Sequence, residues 1–251
     1  MAMKYILSLS GGKDSLAMLL LVIEKKLPLD RVVFYDTGVE FQAIYNIIDQ
    51  VKPLIEEYGA HLDILHPKRP FLLDMLAKPV ASKSGEERYG FDWCGGVCRW
   101  QTGCKVSEIN RYLSQFDEYT QYVGIACDEP KRIRYENHKV YPLVEHQMTE
   151  ADCLAYCRSK GFHWKEGDID LYDILDRVSC WCCANKNTKE LRNMYHFLPE
   201  YWGYLKGLQS RIDRPFKSGT GKSIFDYEEQ FKAEDSQMSI ADLIPDNGWA
   251  S

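Results

Sequence analysis

The sequence predicts an α/β fold in which a mostly parallel sheet is covered by helices on both faces, followed by a helical C-terminal region. Short apolar segments alternate with helical segments in the first half of the chain, which is typical of parallel sheets. After about residue 149 the pattern becomes mainly helical. We therefore divide the chain into an α/β domain at 1–148, a helical region at 149–235 and a polar tail at 236–251.

Apolar, β-branched and aromatic segments predict the strands of the sheet, which are 5–9, 31–35, 61–65 and 119–126. Amphipathic or well-capped segments predict the helices, which are 14–26, 41–58, 71–77, 98–114, 149–160, 189–211 and 223–231. Pro53 should kink or restart the second helix. Residues 78–89 are polar and predict a mobile loop.

Composition and charge narrow the possible functions. The 251 residues are 45% hydrophobic and 27% charged, as in ordinary soluble proteins, and the net charge is -6. A nucleic-acid partner would therefore need a local basic patch. The sequence shows no signal peptide and no apolar stretch that could span a bilayer, so we expect a cytoplasmic protein without a membrane partner. Nine cysteines in a reducing compartment indicate metal or redox chemistry.

A glycine-rich turn follows the first predicted strand and opens the first helix. It reads Ser10-Gly11-Gly12-Lys13-Asp14-Ser15. Glycines allow close backbone approach to an anion, the helix N-terminus is positive, and Lys13 adds a cation. All six residues are therefore candidate phosphate ligands, with Lys13 and Asp14 also candidate catalytic residues. The alternative is a plain strand-to-helix turn, which such residues also favour.

Two further polar segments should lie at the same edge of the sheet, because ligands bind at the carboxyl ends of parallel strands. The second strand leads into Asp36, Thr37 and Gly38, which are candidates for ribose or magnesium contacts. The fourth strand leads into a segment that carries Gly124, Asp128 and Arg132 as further candidates. Arg132 suits bidentate binding of phosphate or sulfate. A solvated charged loop remains the alternative for this segment.

The clustered cysteines predict a metal centre. Cys94 and Cys98 form one pair, and Cys180 and Cys183 form a CxxC pair that encloses Cys182, an additional candidate ligand. Four thiolates at such spacings suit either a [4Fe–4S] cluster or a structural zinc ion. The alternative is that the cysteines are buried and inert. Cys153 and Cys157 fit that alternative best, because their spacing places both on one helix face.

The Ser-Gly-Gly-x-Asp-Ser turn resembles the signature of the PP-loop ATP pyrophosphatases and of their relatives, the PAPS reductases. The Asp-Thr-Gly turn and the segment from Gly124 to Arg132 resemble the PAPS reductase branch. The resemblance covers about residues 4–235, although Ala126 replaces an arginine that is usual in that branch. It implies a Rossmann-like domain in which the first loop holds the pyrophosphate end of an adenine nucleotide and the bond cleaved lies at the α-phosphate.

The resemblance leaves three functions open. The first is an ATP pyrophosphatase that uses Mg²⁺ near Asp14 or Asp36 and activates an acceptor, such as tRNA, DNA or a small molecule, for sulfur transfer. The second is a reductase that converts PAPS or adenylyl sulfate to sulfite. These enzymes use a C-terminal Glu-Cys-Gly-x-His segment, and no cysteine follows Cys183 here. The third is a non-catalytic regulator that binds nucleotide and cluster.

Adenylyl-sulfate reductases hold a [4Fe–4S] cluster with cysteine pairs near the positions of Cys94 and Cys98 and of Cys180 and Cys183. The resemblance therefore favours iron–sulfur over zinc at these four cysteines. A sulfur-donor protein and a second copy of the chain stay open as partners.

Overall fold

The computed structural model describes residues 3–81, 85, 87–96, 98, 102–134 and 136–243. The chain forms two compact units. The first contains Met1–Phe71, Cys98–Asp173 and Arg177–Trp181. The second contains Leu72–Val97, Ile174–Asp176 and Cys182–Ser251. The domain boundaries predicted from the sequence, after residues 148 and 235, stay predictions.

Strands and helices follow one another along the whole described chain. In order they are β1 (Lys4–Leu9), α1 (Lys13–Glu24), β2 (Arg31–Tyr35), α2 (Gln42–Glu57), β3 (His61–Leu65), α3 (Phe71–Leu76), β4 (Pro79–Ala81), β5 (Glu87–Tyr89), α4 (Thr102–Leu113), β6 (Tyr119–Val123), a 3-10 helix (Pro130–Arg132), β7 (Lys139–Val140), α5 (Pro142–Glu145), α6 (Glu150–Ser159), β8 (Lys165–Glu166), β9 (Ile169–Asp170), α7 (Leu171–Ile174), α8 (Thr188–Phe197), α9 (Pro199–Gln209) and α10 (Ile224–Leu243).

The first unit is built on a five-stranded sheet in the order β3-β2-β1-β6-β7, and every neighbouring pair is parallel. Successive residues of a strand point to opposite faces, yet both Ile6 and Leu7 are fully buried. Burial on both faces requires helices on both sides of the sheet. On one face, Tyr112 and Leu113 of α4 pack against Ile6 and Val33. The predicted α/β fold class is confirmed.

The predicted mobile loop at 78–89 is wrong for the parts of it that the structure describes. β4 and β5 pair as an antiparallel hairpin in the second unit, with Pro79 opposite Tyr89. The strands have three residues each, which is too short to give a recognisable alternation in the sequence. Residues 82–84 and 86 of this segment lie outside the described residues.

The single helix predicted at 189–211 is also wrong, because α8 ends at Phe197 and α9 begins at Pro199. Proline lacks the N–H that would continue the first helix, and it disfavours helical geometry at the preceding residue. Conversely, Pro53 lies inside α2 and the helix continues past it.

The polar tail predicted from residue 236 is helical in its described part, because α10 runs on to Leu243. This described part contains alanine, glutamine, methionine and leucine, which favour helix even without an apolar face. Residues 244–251 of the predicted tail lie outside the described part of the chain. Among the described residues, no helix combines the length and the apolar character needed to cross a bilayer.

Candidate nucleotide-binding site

The glycine-rich loop lies where the strand order of the sheet reverses. The chain moves outward from β1 through β2 to β3, and then returns to place β6 on the other side of β1. Ligands of open α/β sheets bind at the carboxyl ends of the strands that flank this position. β1 ends at Leu9, directly before the loop, and α1 begins at Lys13 with its positive end at the same edge.

Other residues approach two glycines at this edge closely. Gly11 has a φ of 77°, and a Cβ atom on it would lie 2.8 Å from Cγ2 of Ile44. Gly124, just after β6, would place a Cβ atom 3.0 Å from Cα and 3.2 Å from N of Ser15. The second contact is with backbone, which cannot rotate away. The loop and the end of β6 are therefore in direct contact, and a ligand site shared by them stays a prediction.

Serine hydroxyl groups hold the loop in its shape. The backbone N–H of Ser10 donates to Oγ of Ser15 at 3.0 Å, and the hydroxyl groups of these two serines lie 2.9 Å apart. The Ser15 hydroxyl also donates to the carbonyl oxygen of Gly12 at 3.0 Å. Ser15 is buried, whereas Ser10 is exposed. Ser15 therefore supports the loop from inside, and Ser10 presents its side chain to solvent.

Three groups of Lys13 have partners, namely its ammonium group, its backbone N–H and its carbonyl oxygen. Its ammonium Nζ lies 2.6 Å from Oε2 of Glu150 and 3.0 Å from Oδ1 of Asp14. Its backbone N–H donates to the Tyr172 hydroxyl group at 2.9 Å, and its carbonyl oxygen accepts from the Cys157 thiol at 3.4 Å. Burial lowers the pKa of Lys13, but the two carboxylates outweigh burial and raise it overall. The ammonium group is therefore charged at neutral pH.

Carboxylates and cations alternate around the loop. Burial raises the pKa of Asp14, with Lys13 opposing the shift and the charges of Glu150 and Glu129 adding to it. The hydrogen bond from Lys13 lowers the pKa of Glu150. Glu129 forms an ion pair with Arg132, whose guanidinium also interacts with Asp14 and Glu150. The predicted catalytic residues Lys13, Asp14 and Arg132 therefore belong to one charged network.

The second predicted loop follows β2 at the same edge of the sheet, because Leu9 of β1 pairs in parallel with Phe34 of β2. One oxygen of Asp36 accepts from the Gly38 N–H and from the Tyr45 hydroxyl group, both at 2.7 Å. Thr37 is buried, and its hydroxyl donates to Glu40 at 2.8 Å. These bonds shape the turn, and nucleotide contacts by Asp36, Thr37 and Gly38 stay a prediction.

Asp128 lies between β6 and the 3-10 helix, and it supports the charged network around Lys13. Its Oδ1 accepts the backbone N–H of Glu150 at 3.1 Å, at the first turn of α6. Thr149 and Asp152 complete this helix start with reciprocal side-chain and backbone hydrogen bonds, which form a capping box. Asp128 therefore helps to place Glu150 beside Lys13, and its predicted contact with nucleotide stays a prediction.

Three residues at this site could not be found from sequence motifs. The indole Nε1 of Trp164, which is fully buried, donates to the Gly11 carbonyl oxygen at 2.7 Å. Tyr172 accepts from the backbone of Lys13, and Glu150 binds its ammonium group. All three lie more than a hundred positions away in the sequence, so only the tertiary fold brings them to the loop.

The cysteines of the predicted metal centre are divided between the two units. Cys94 and Cys183 belong to the second unit, where the residues beside them pair through two hydrogen bonds. The N–H of Gly96 donates to Oδ1 of Asn185 at 2.6 Å, and Nδ2 of Asn185 donates to the Gly96 carbonyl oxygen at 2.9 Å. The chain segments that carry Cys94 and Cys183 are therefore tied together. Cys182 is buried in the same unit.

Cys98 and Cys180 belong to the first unit. The Cys180 sulfur lies 4.0 Å from Oε1 of Glu40, and the N–H of Trp181 donates to the carbonyl oxygen of Val39 at 3.1 Å. The CxxC segment thus begins beside the second loop.

Within the described residues, no group of three or more His, Cys, Asp or Glu side chains is placed so that it could hold a metal ion. The four thiols have the chemistry of cluster ligands, and the pairing of Gly96 with Asn185 suits a shared site for two of them. Their arrangement as ligands, like that of Mg²⁺ ligands, stays a prediction.

The fold and the loop define an α/β protein with a glycine-rich turn at the switch point of a parallel sheet. Residues 4–172 match the phosphoadenosine phosphosulfate reductase domain. This match spans more than half of the chain, so the chain belongs to the phosphoadenosine phosphosulfate reductase family. The predicted family is confirmed.

Several proteins are similar to this chain. A nin region protein of Escherichia phage lambda, described as uncharacterised, is 24% identical over 74% of this chain and 67% of its own length. An adenosine 5'-phosphosulfate reductase of Staphylococcus epidermidis is 25% identical over 70% of this chain and 69% of its own length. An uncharacterised protein of Methanocaldococcus jannaschii is 24% identical over 78% of this chain, which spans only 39% of that protein.

Among solved structures, the chain is similar to the U34-tRNA thiolase of Methanococcus maripaludis with its [4Fe-4S] cluster. The identity is 17%, the TM-score is 0.44, and the match covers 92% of this chain and 72% of that one.

Proposed function

We propose that this protein is an enzyme that binds ATP on the loop from Ser10 to Ser15 and cleaves it between the α- and β-phosphates. An acceptor oxygen attacks the α-phosphorus, the bond to the bridging oxygen breaks, and pyrophosphate leaves. The adenylated acceptor then exchanges this oxygen for sulfur as AMP departs. The buried Lys13 at the N-terminus of α1, beside Gly11 and Gly124, is the observation that carries the proposal.

The loop suits the charge that develops on the leaving pyrophosphate. The positive N-terminus of α1 and the Lys13 ammonium group are fixed before the reaction, so they stabilise the leaving group without reorganising. Arg132 adds a second cation within electrostatic range of Asp14. Membership of the phosphoadenosine phosphosulfate reductase family supports an adenine nucleotide as the ligand.

The proposal includes Mg²⁺ because the site carries more carboxylates than cationic side chains. Asp14, Glu129 and Glu150 oppose Lys13 and Arg132, and a nucleoside triphosphate would add further negative charge. Oxygen ligands such as Asp14 or Asp36 are the type that Mg²⁺ prefers. The ion would neutralise the phosphates when bound.

A [4Fe–4S] cluster on Cys94, Cys98, Cys180 and Cys183 completes the proposal, with Cys182 as a further candidate and zinc as the alternative metal. Thiolates are the usual ligands of both. The cluster would supply or carry sulfur when bound. The chain's own contribution is to hold the segments of Cys94 and Cys183 together through Gly96 and Asn185.

A reductase that converts PAPS or adenylyl sulfate to sulfite is the second candidate. It is favoured by the similarity to the Staphylococcus epidermidis enzyme. In this reaction a thiolate takes the sulfonyl group and releases the nucleotide, and a second thiol then releases sulfite as a disulfide forms. One of the nine cysteines would have to accept the sulfonyl group.

Product analysis distinguishes these functions. Anaerobically purified protein is incubated with Mg²⁺ and either ATP plus unfractionated tRNA, or adenylyl sulfate or PAPS plus dithiothreitol. Release of pyrophosphate and AMP from ATP supports the proposal, whereas sulfite release supports the reductase. Binding of ATP without any product would contradict both and indicate a regulator.

The matched variants are Lys13→Ala and Lys160→Ala. Removing Lys13 should lower turnover at least about a hundred-fold, as loss of a preorganised cation at a developing charge does. Lys160 pairs with Glu24 at the opposite end of α1, so its variant should keep wild-type turnover. Equal activity of wild type and Lys13→Ala would remove the loop from the mechanism.

A further inference from the structure

Glu150 is paired with the ammonium group of Lys13, which is the cation that the phosphates would use. Its Oε2 lies 2.6 Å from Nζ of Lys13, and Asp14 takes a second position on the same ammonium group at 3.0 Å. An ammonium group has three hydrogens, so two carboxylates leave one for a ligand. The Lys13 side chain is only 10% exposed, which leaves little space around it for another anion.

The two carboxylates differ in how easily they could leave Lys13. Asp14 is the next residue of the same helix, and its short side chain is 21% exposed. Glu150 comes from a different helix, has a longer side chain, and is 38% exposed. Arg177 also interacts electrostatically with Glu150. Of the two carboxylates, Glu150 is therefore the one better able to leave Lys13, because Asp14 is adjacent to Lys13 on α1 and has the shorter side chain.

We propose that Glu150 is a displaceable anion that occupies Lys13 when no nucleotide is bound and lowers the affinity of the loop for the pyrophosphate group. The inference rests on the proposed function, because it requires that the loop binds phosphates. A phosphate oxygen that reaches Lys13 must either replace the Glu150 carboxylate or remain close to it, and both arrangements cost binding energy. The same carboxylate favours release of pyrophosphate after cleavage, because it forms its ion pair with Lys13 again.

The backbone around Glu150 keeps it available for this role. Asp128 accepts its N–H, and the capping box of Thr149 and Asp152 fixes the first turn of α6. The start of the helix is thus fixed while the Glu150 side chain stays 38% exposed.

The test is the affinity for inorganic pyrophosphate, measured by isothermal titration calorimetry with wild type, Glu150→Gln and Glu57→Gln. Glu150→Gln should bind pyrophosphate about ten-fold more tightly, which is the size of effect expected when one charged competitor is removed. Its affinity for adenosine, which has no phosphate, should be unchanged. Glu57 ends α2 at the opposite edge of the sheet, so Glu57→Gln should match wild type for both ligands.

A folded Glu150→Gln variant that binds pyrophosphate no more tightly than wild type would overturn the inference while leaving the proposed function intact. If none of the three proteins binds pyrophosphate, the proposed function fails and the inference fails with it. Circular dichroism checks that the variant is folded. Glu150→Ser, with the same expectation, replaces Glu150→Gln if the latter does not fold.

Discussion

Gly124 is a residue whose missing side chain lets the start of α1 approach the end of β6 closely. A Cβ atom there would lie 3.0 Å from Cα of Ser15, and the backbone of α1 cannot yield without moving the loop. We predict that Gly124→Ala lowers the affinity for ATP at least about ten-fold, because a displaced loop loses a charge-assisted contact. Equilibrium binding of ATP measures this.

The control for this prediction is Gly203→Ala in α9. A Cβ atom at Gly203 would meet no atom within 4 Å, so alanine should stabilise the helix by about 0.5–1 kcal/mol and leave ATP binding unchanged. Wild-type affinity in Gly124→Ala would show that the close approach to Ser15 is not needed for binding.

Individual residues of the site were predictable where the chemistry is local. Gly11, Lys13 and Ser15 lie in one short motif whose residue types suit an anion, so the sequence alone indicated them. Glu150 and Tyr172 gave no such signal, because their roles depend on the packing of α6 and α7 against the loop. Such contacts across long sequence separations follow from the tertiary fold and leave no local pattern.

At the scale of elements, the hairpin of β8 and β9 supports the glycine-rich loop that follows β1. Trp164, which precedes β8, donates to the Gly11 carbonyl oxygen at 2.7 Å, and Glu166 of β8 accepts the N–H of Ala43 at the start of α2 at 2.8 Å. The hairpin therefore contacts both the phosphate loop and the helix that follows the second loop. Its function is to hold these two chain segments in position.

We predict that Trp164→Phe destabilises the protein by about 1–3 kcal/mol more than Trp202→Phe, because it also leaves a buried carbonyl oxygen without its donor. Both tryptophans are buried and both variants lose similar volume. Within the described residues, however, the Trp202 indole N–H has no hydrogen-bond partner. Chemical denaturation measures both free energies of unfolding, and equal losses would contradict a structural role for the Trp164 bond.

Prolines show why element boundaries were only partly predictable. Pro199 begins α9, whereas Pro53 lies within α2 and does not end it. Buried Ile47, Ile48 and Val51 hold α2 against the sheet, and this packing outweighs the hydrogen bond that Pro53 removes. From the sequence we expected Pro53 to kink or restart its helix and a single helix to pass through Pro199. The single helix was wrong and α2 does not restart at Pro53, because the packing that decides each outcome is a property of the folded unit.

At the scale of the whole molecule, the cysteines belong to two compact units, a division that their spacing did not reveal. The sequence indicated two pairs, yet Cys94 and Cys98 fall in different units, and so do Cys180 and Cys183. The sheet order could be anticipated better, because alternation of strands and helices restricts the connections. β7 could not be anticipated, because two residues give no periodic pattern.

Metal analysis of the intact chain tests whether the cysteines act together. We predict about four irons and four sulfides per chain, with broad visible absorbance, after anaerobic purification. Cys94→Ser and Cys183→Ser should each lose most of the iron, because one iron of a cluster built on four cysteines then lacks its thiolate ligand. Cys127→Ser should keep it, since Cys127 lies outside both cysteine pairs. One zinc and no sulfide would instead make the cysteines a structural site, and iron retained in Cys94→Ser would contradict the ligand assignment.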